Sequence, residues 1–354
     1  MASSFSRSRF WRRWKASPAA ECVLPGRIGI ADAARGQSIT AAKCIRPCQN
    51  DGMTTSHSSL LVAGLPGNEP LARALAELLG ADVLELEHRR FPDGESYLRF
   101  HGDPKGASVI VVATLDHPDD KLPPLLFAAD CARDLGARRV GLVAPYLAYM
   151  RQDQRFKPGE ALTSRTFARC LSAHFDWLVT VDPHLHRYAS LDEIYTLESE
   201  VVQAAPALAD WIAESVDQPV LIGPDAESEQ WVSVVADMKK LPWRVLSKKR
   251  HGDRDVRMTL PDLEGLQDHT PVMIDDIISS GGTIAEATRH LLEHGLKPPV
   301  VVAVHGLFGD RARELLRHAG VARVVCTNAV NAPESEIGLS RLLAPAIRRL
   351  AERA

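Results

Sequence analysis

The chain has 354 residues, 45% of them hydrophobic and 25% charged, with a formal net charge of −3. That length is enough for two domains with a core each, and so small a net charge gives no general pull on nucleic acids or other polyanions. No run approaches the roughly 18 apolar residues of a membrane span, and the six cysteines lack the spacing of a disulfide framework, as expected of a chain in a reducing cytoplasm.

The N-terminal stretch stands apart. It carries Arg7, Arg9, Arg12, Arg13, Lys15, Arg27, Arg35, Lys43 and Arg46 against only Glu21, Asp32 and Asp51, and it has no hydrophobic period. An Arg- and Ser-rich, acid-poor segment suits an organelle transit peptide. It equally suits a disordered tail, or an upstream start with Met53 as the working first residue. The second pair of readings is favoured because an apolar strand begins just after Met53. Cys44 and Cys48 have no second Cys or His pair nearby to complete a zinc site. Residues 1–57 are therefore set apart from the fold.

From residue 59 onward, apolar runs of strand length alternate with segments of helical period. Leu60–Ala63 leads into a helix marked by Leu71, Leu75 and Leu78, and Val109–Ala113 precedes one around Leu125–Leu135. Val140–Ala144 and Trp177–Val181 flank a helix near Leu162–Ala173, and Glu198–Ser215 reads as helical. The second half repeats the rhythm with strands at Val220–Gly223, Arg244–Ser247, Val272–Ile274, Val300–Val304 and Arg323–Cys326. Helices there are expected at Ala285–His294 and Ala312–His318, with a terminal amphipathic one at Leu339–Arg353. Almost wholly apolar strands alternating with helices predict parallel sheets covered on both faces. The expected domains are 58–200 and 201–354, with the last helix returning to pack on the first.

The strongest chemical signal runs from Val272 to Thr283. An apolar strand meets Asp275 and Asp276, then Ser279-Ser280-Gly281-Gly282-Thr283, then a helix. The glycines allow close backbone approach and positive φ. Free N–H groups at the helix start, with the hydroxyls, form an anion cradle, and paired acids suit a sugar diol or a bound Mg²⁺. This segment resembles the type I phosphoribosyltransferase loop that grips a 5-phosphate and ribose hydroxyls.

Four further segments narrow the resemblance. Arg90-Phe91-Pro92-Asp93-Gly94-Glu95, Pro145 to Asp153, Val181-Asp182-Pro183-His184 and Val245 to Arg250 are similar, in order and separation, to motifs of ribose-phosphate pyrophosphokinases. The chain is thereby identified as a divergent, bacterial-type member over residues 59–352. The resemblance implies an α/β fold of two tandem type I phosphoribosyltransferase-like domains, each a mostly parallel sheet flanked by helices. It implies transfer of pyrophosphate from ATP to ribose 5-phosphate with Mg²⁺, in a homo-oligomer with no nucleic-acid or membrane partner.

Site residues follow from the same resemblance. Phe91, Asp93, Glu95, Arg151, Gln152 and Asp153 match the ATP side, the first three often serving a neighbouring subunit. His184 and Asp225 match Mg²⁺ contacts; Asp275, Asp276 and Ser279 to Thr283 match the ribose 5-phosphate side. Lys248 and Arg250 are expected to offset charge in the transition state. His186 matches no motif and reads as an ordinary surface histidine.

Three departures mark the chain. Ser279-Ser280 stands where many relatives have Asp-Thr, Ala226 to Glu229 where they have glycines, and Leu185-His186-Arg187 where Ala-x-Gln is common. Two other functions were weighed. A salvage phosphoribosyltransferase would leave Arg151, Gln152, Lys248 and Arg250 without a role. A non-catalytic regulatory homologue would have little reason to keep nearly every charged motif.

Overall fold

The computed structural model describes residues 60–225, 228–250, 256–259 and 265–353. The basic segment 1–57, Cys44 and Cys48, and the side chains of Lys248 and Arg250 lie outside the described residues.

The first half builds a six-stranded, all-parallel sheet. Its strands are β1 (Leu60–Gly64), β2 (Asp82–Val83), β5 (Ser108–Val112), β6 (Arg139–Ala144), β7 (Trp177–Val181) and β8 (Glu198–Val202), in the order β2-β1-β5-β6-β7-β8. The segment starting at Glu198, read from sequence as helical, is thus an edge strand, and helix α4 begins only at Ala205 and ends at Ser215. A polar hairpin of β3 (Glu85–Arg90) and β4 (Ser96–His101) also escaped the sequence reading.

The second half repeats the plan with β9 (Pro219–Gly223), β10 (Trp243–Val245), β13 (Thr270–Ile278), β14 (Val300–Gly306), β15 (Arg323–Thr327) and β16 (Ser335–Ile337). They run in the order β10-β9-β13-β14-β15-β16, again all parallel. Ser247–Arg250 (β11) pairs antiparallel with Val256–Thr259 (β12) outside that sheet. Parallel strands expose both faces to helices, which is why their interiors read as unbroken Val, Ile and Leu.

Three apolar clusters result. One lies against α2 (Pro118–Asp134) and α3 (Thr163–His174), and another against α6 (Gly282–Glu293) and α7 (Ala312–Ala319). The largest takes residues from both sheets, such as Val112 and Val179 with Val272 and Val302. It also takes in α1 (Glu69–Leu79), α4, α5 (Glu229–Lys239) and α8 (Ser340–Ala351). The closing helix α8 lies on α1 and on strands β7 and β8. Arg348 donates to the Leu78 carbonyl there, and Arg349 pairs with Glu200. Within the described residues the two halves therefore share a core.

Candidate active site

In an open parallel sheet the chain reverses its direction of travel at a switch point, and ligands sit beyond the carboxyl ends of the strands there. In the second sheet this point lies between β9 and β13, so Asp225 and the loop from Ser279 fall at its mouth. Gly281 adopts φ 72°, a left-handed turn that a side chain disfavours, and α6 starts at the next residue. The Gly282 N–H donates to Ser280 Oγ at 3.4 Å, and Thr283 sits in the first helical turn with the free N–H groups.

The first sheet brings its own carboxyl ends to the same place. After β6, Arg151 Nη1 donates to Ser279 Oγ at 3.3 Å. After β7, His184 Nδ1 donates to Asp276 Oδ2 at 2.7 Å. The Asp182 carbonyl at the end of β7 accepts from Nε2 of His305 on β14 at 3.2 Å, and the His305 ring meets Tyr146 edge-on at 5.1 Å. Arg151 and the Asp275–Asp276 pair thus open onto one cleft.

The two adjacent acids have opposite surroundings. Successive strand residues point to opposite faces. Asp276 continues the parity of Val272 and Ile274, which lie in the shared core; Asp275 continues that of Met273, which packs with α6 and α7. Burial acts to raise the Asp276 carboxyl, but the His184 hydrogen bond and the charges of His184 and His305 outweigh it and hold it below the ordinary range. Burial drives Asp275 the other way, reinforced by the like charges of Asp276 and Asp225.

Asp182 is 6% exposed with φ 36°, and burial raises its carboxyl to about 7 although the Ala204 N–H donates to it at 2.7 Å. His305 is wholly enclosed and lowered to about 4 by that burial, and its Nδ1 has no hydrogen-bond partner among the described residues.

Other expected residues land in different settings. Asp153, expected among the ATP ligands, is turned inward; its side chain is 2% exposed and accepts from Arg187 Nη1 at 2.9 Å. A carboxylate at that depth needs a partner, and Arg187, one of the departures noted in the sequence, provides it. Gln152 is tied down through Oε1, which accepts from Thr163 Oγ1 at 2.8 Å.

Phe91, Asp93 and Glu95 form the tip of the β3–β4 hairpin. Phe91 stands edge-on to Tyr97, with the Arg89 guanidinium over both rings. Among the described residues these three make no hydrogen bond to Arg151 or Gln152.

His184 and Asp225, expected to share a cation, each lie beside one of the paired acids. Asp225 belongs with Asp275, and its Oδ1 accepts from the Ser228 N–H at 3.2 Å. His184 instead joins Asp276 and His186, with the two imidazole centroids 3.9 Å apart. His186 was missed by sequence reading; the only signal was a His-x-His spacing just past a strand end. Of the acids where relatives have glycines, Glu229 starts α5 and faces solvent.

Comparison with known proteins agrees with this arrangement. Residues 60–174 match the family described as the N-terminal domain of ribose phosphate pyrophosphokinase, and residues 191–341 match the phosphoribosyl transferase domain. A ribose-phosphate pyrophosphokinase of Sulfurisphaera tokodaii is 33% identical over 294 residues, covering 82% of this chain and 99% of the relative. One from Methanobrevibacter smithii is 32% identical over 300 residues, covering 81% and 100%. The crystal structure of phosphoribosylpyrophosphate synthetase from Mycobacterium smegmatis superposes with a TM-score of 0.71 at 26% identity, covering 83% of this chain and 99% of that one. With both domains matched and nearly the full length of its relatives spanned, the chain belongs to the ribose-phosphate pyrophosphokinase family.

Proposed function

We propose that the protein transfers the pyrophosphoryl group of ATP to the anomeric hydroxyl of ribose 5-phosphate, giving phosphoribosyl pyrophosphate and AMP. The observation that carries this reading is the 3.3 Å contact from Arg151 to Ser279, which joins a cationic loop of one sheet to the anion cradle of the other. A transfer between two anionic substrates needs both cradles on one cleft.

In this reading the anomeric oxygen bonds to the β-phosphorus, the bridge between the α- and β-phosphates breaks, AMP leaves and the hydroxyl proton is released. Arg151 and Gln152 hold the triphosphate, while Phe91, Asp93 and Glu95 serve the adenosine of a neighbouring subunit in a homo-oligomer. Ser279, Ser280, Gly281, Gly282 and Thr283 hold the 5-phosphate, and Asp275 and Asp276 face the ribose hydroxyls. Lys248 and Arg250, on the strand β11, neutralise charge growing on the transferred group. Asp153 supports the loop of Arg151 and Gln152 from beneath through its ion pair with Arg187.

Mg²⁺ suits this place. Asp275, Asp276 and Asp225 crowd negative charge together, and the upward push on Asp275 is what a hard divalent cation would relieve. Asp225 and His184 would hold it, and when bound it would screen the phosphates from each other and polarise the group in transit. No helix among the described residues is long and apolar enough to cross a membrane, and we assign the enzyme to the cytoplasm.

Purified protein given ATP, Mg²⁺ and ribose 5-phosphate is expected to form AMP only when all three are present. Absence of AMP, or AMP formation that ignores ribose 5-phosphate, would refute the reading.

A further inference from the structure

The loop between β14 and α7 has no part in the proposed reaction, yet it lies against the first residues of the 5-phosphate cradle. Leu307 and Phe308 both donate their N–H to the Ile278 carbonyl at 3.0 Å, and the Gly309 N–H donates to the Ser279 carbonyl at 3.0 Å. A trans peptide is planar, with its C=O and the following N–H pointing opposite ways. Tying down those two carbonyls therefore fixes the N–H groups of Ser279 and Ser280, which must point away from this loop. The next cradle residue is Gly281, where an added Cβ would sit 3.3 Å from Leu316 of α7. Loop and helix together back the cradle.

The loop is held in a shape its residues disfavour. Phe308 has φ 43° and Arg311 φ 69°, left-handed values that suit glycine and not these side chains. Such a backbone persists only where its surroundings over-determine it. Here the Phe308 ring, 8% exposed, fills the space that a Cβ on Gly306 would need, 2.5 Å away. The Arg313 guanidinium lies over the same ring, 4.1 Å from its centroid. Glu334 fixes that guanidinium in turn, its two oxygens accepting from Nε at 2.7 Å and Nη2 at 3.0 Å. The Glu334 carbonyl is itself anchored, accepting from the Cys326 N–H of β15 at 2.7 Å.

An ion pair this exposed adds little to stability by itself. What two parallel hydrogen bonds do supply is direction, because they set the plane of the guanidinium as well as its place. A planar cation so oriented can keep the ring beneath it seated. Arg313 makes no hydrogen bond to the cradle among the described residues, so any influence there passes through Phe308.

We propose that Arg313 is a positioning residue for the sugar phosphate. Clamped by Glu334 and stacked on Phe308, it steadies the amides of residues 307–309, which aim the Ser279 and Ser280 N–H groups at the 5-phosphate. The inference deepens the proposed function and rests on it only for the identity of the anion.

The test uses the full chain. Calorimetric titration with ribose 5-phosphate reads the cradle without turnover, and KM is measured for both substrates beside it. Arg313→Ala is expected to weaken ribose 5-phosphate binding at least about fivefold. Its KM should rise in proportion, while KM for ATP stays within about twofold of the parent. Glu334→Gln, which frees the guanidinium without altering α7, is expected to give the same split at smaller size. Arg317→Ala, on the same helix but paired with His318, should leave both KM values unchanged. A merely structural ion pair would lower Tm and treat the two substrates alike. Parent-like ribose 5-phosphate affinity in Arg313→Ala, or an equal rise in both KM values, would therefore overturn the inference. A parent that binds ribose 5-phosphate yet forms no AMP, with Arg313→Ala still weakened, would refute the reaction and leave the positioning role standing.

Discussion

Asp182 offers a sharp test of how the cleft is built, because its environment opposes its charge. Its carboxyl stands at about 7 against 3.8 for the free group, driven up mainly by burial. Between about pH 4 and 7 the folded protein therefore holds a proton that the unfolded chain has lost. Stability must fall as pH rises through that window and stay low above it. A gap of about three units corresponds to about 4 kcal/mol. Asp182→Asn removes the ionisation while keeping an oxygen to accept from Ala204, at the cost of about 1 kcal/mol for a neutral acceptor. Asparagine also tolerates the φ of 36° better than most residues. At pH 8 the variant is expected to be more stable than the parent by about 2–3 kcal/mol, the difference shrinking to zero or reversing slightly near pH 4. Urea unfolding of both proteins at pH 4.5, 6 and 8 measures this, and taking the difference cancels every titrating group that does not interact with Asp182. A variant less stable than the parent at pH 8, or a difference that ignores pH, would refute the reasoning.

Three other substitutions probe the fold and the reaction. A Cβ on Gly141 would fall 2.0 Å from the fully buried Trp177 ring, its partner across β6 and β7. Gly141→Ala is therefore expected to cost about 3 kcal/mol or more, seen as a large drop in Tm, with partial recovery in Gly141→Ala/Trp177→Phe. Gly281→Ala forces a side chain into the left-handed region, about 1–2 kcal/mol, and sets its Cβ 3.3 Å from Leu316. It is expected to raise KM for ribose 5-phosphate well above any change in KM for ATP. Lys248→Ala should lower kcat by orders of magnitude with little change in ATP affinity, and unchanged turnover would remove Lys248 from the transition state.

Much of the architecture was legible because parallel strands buried on both faces leave runs such as Val109–Ala113 and Val300–Val304, which periodicity cannot confuse with solvent-facing structure. Where an element has one wet side the reading failed. Glu198–Val202 closes the edge of a sheet, so its polar residues look helical beside the true helix from Ala205. The β3–β4 hairpin carries His and Arg in both strands, with two Glu in β3, and signals only its Pro-Asp-Gly turn. At the site, the loop motifs were legible because glycines and acids cluster in sequence. The partnerships were not, since Asp276 meets His184 across 92 positions and Asp153 meets Arg187 across 34. Long-range pairing of that kind leaves no trace in local spacing.

The paired acids show what the second half of the molecule contributes that a single phosphoribosyltransferase-type domain could not. Side by side on β13, Asp275 and Asp276 sit close enough to influence each other and yet have different further neighbours. Asp275 keeps company with Asp225 of its own sheet, where crowded negative charge invites a hard cation or a sugar diol. Asp276 would be stranded on the inner face of that sheet without the strand end of the first half, whose His184 and Asp182 come to meet β13 and β14. The apolar core shared by both sheets is what holds those edges in register. A change that loosens this core far from any substrate, such as trimming Val302 or Ile347, should therefore disturb the His184–Asp276 contact before it disturbs either phosphate loop.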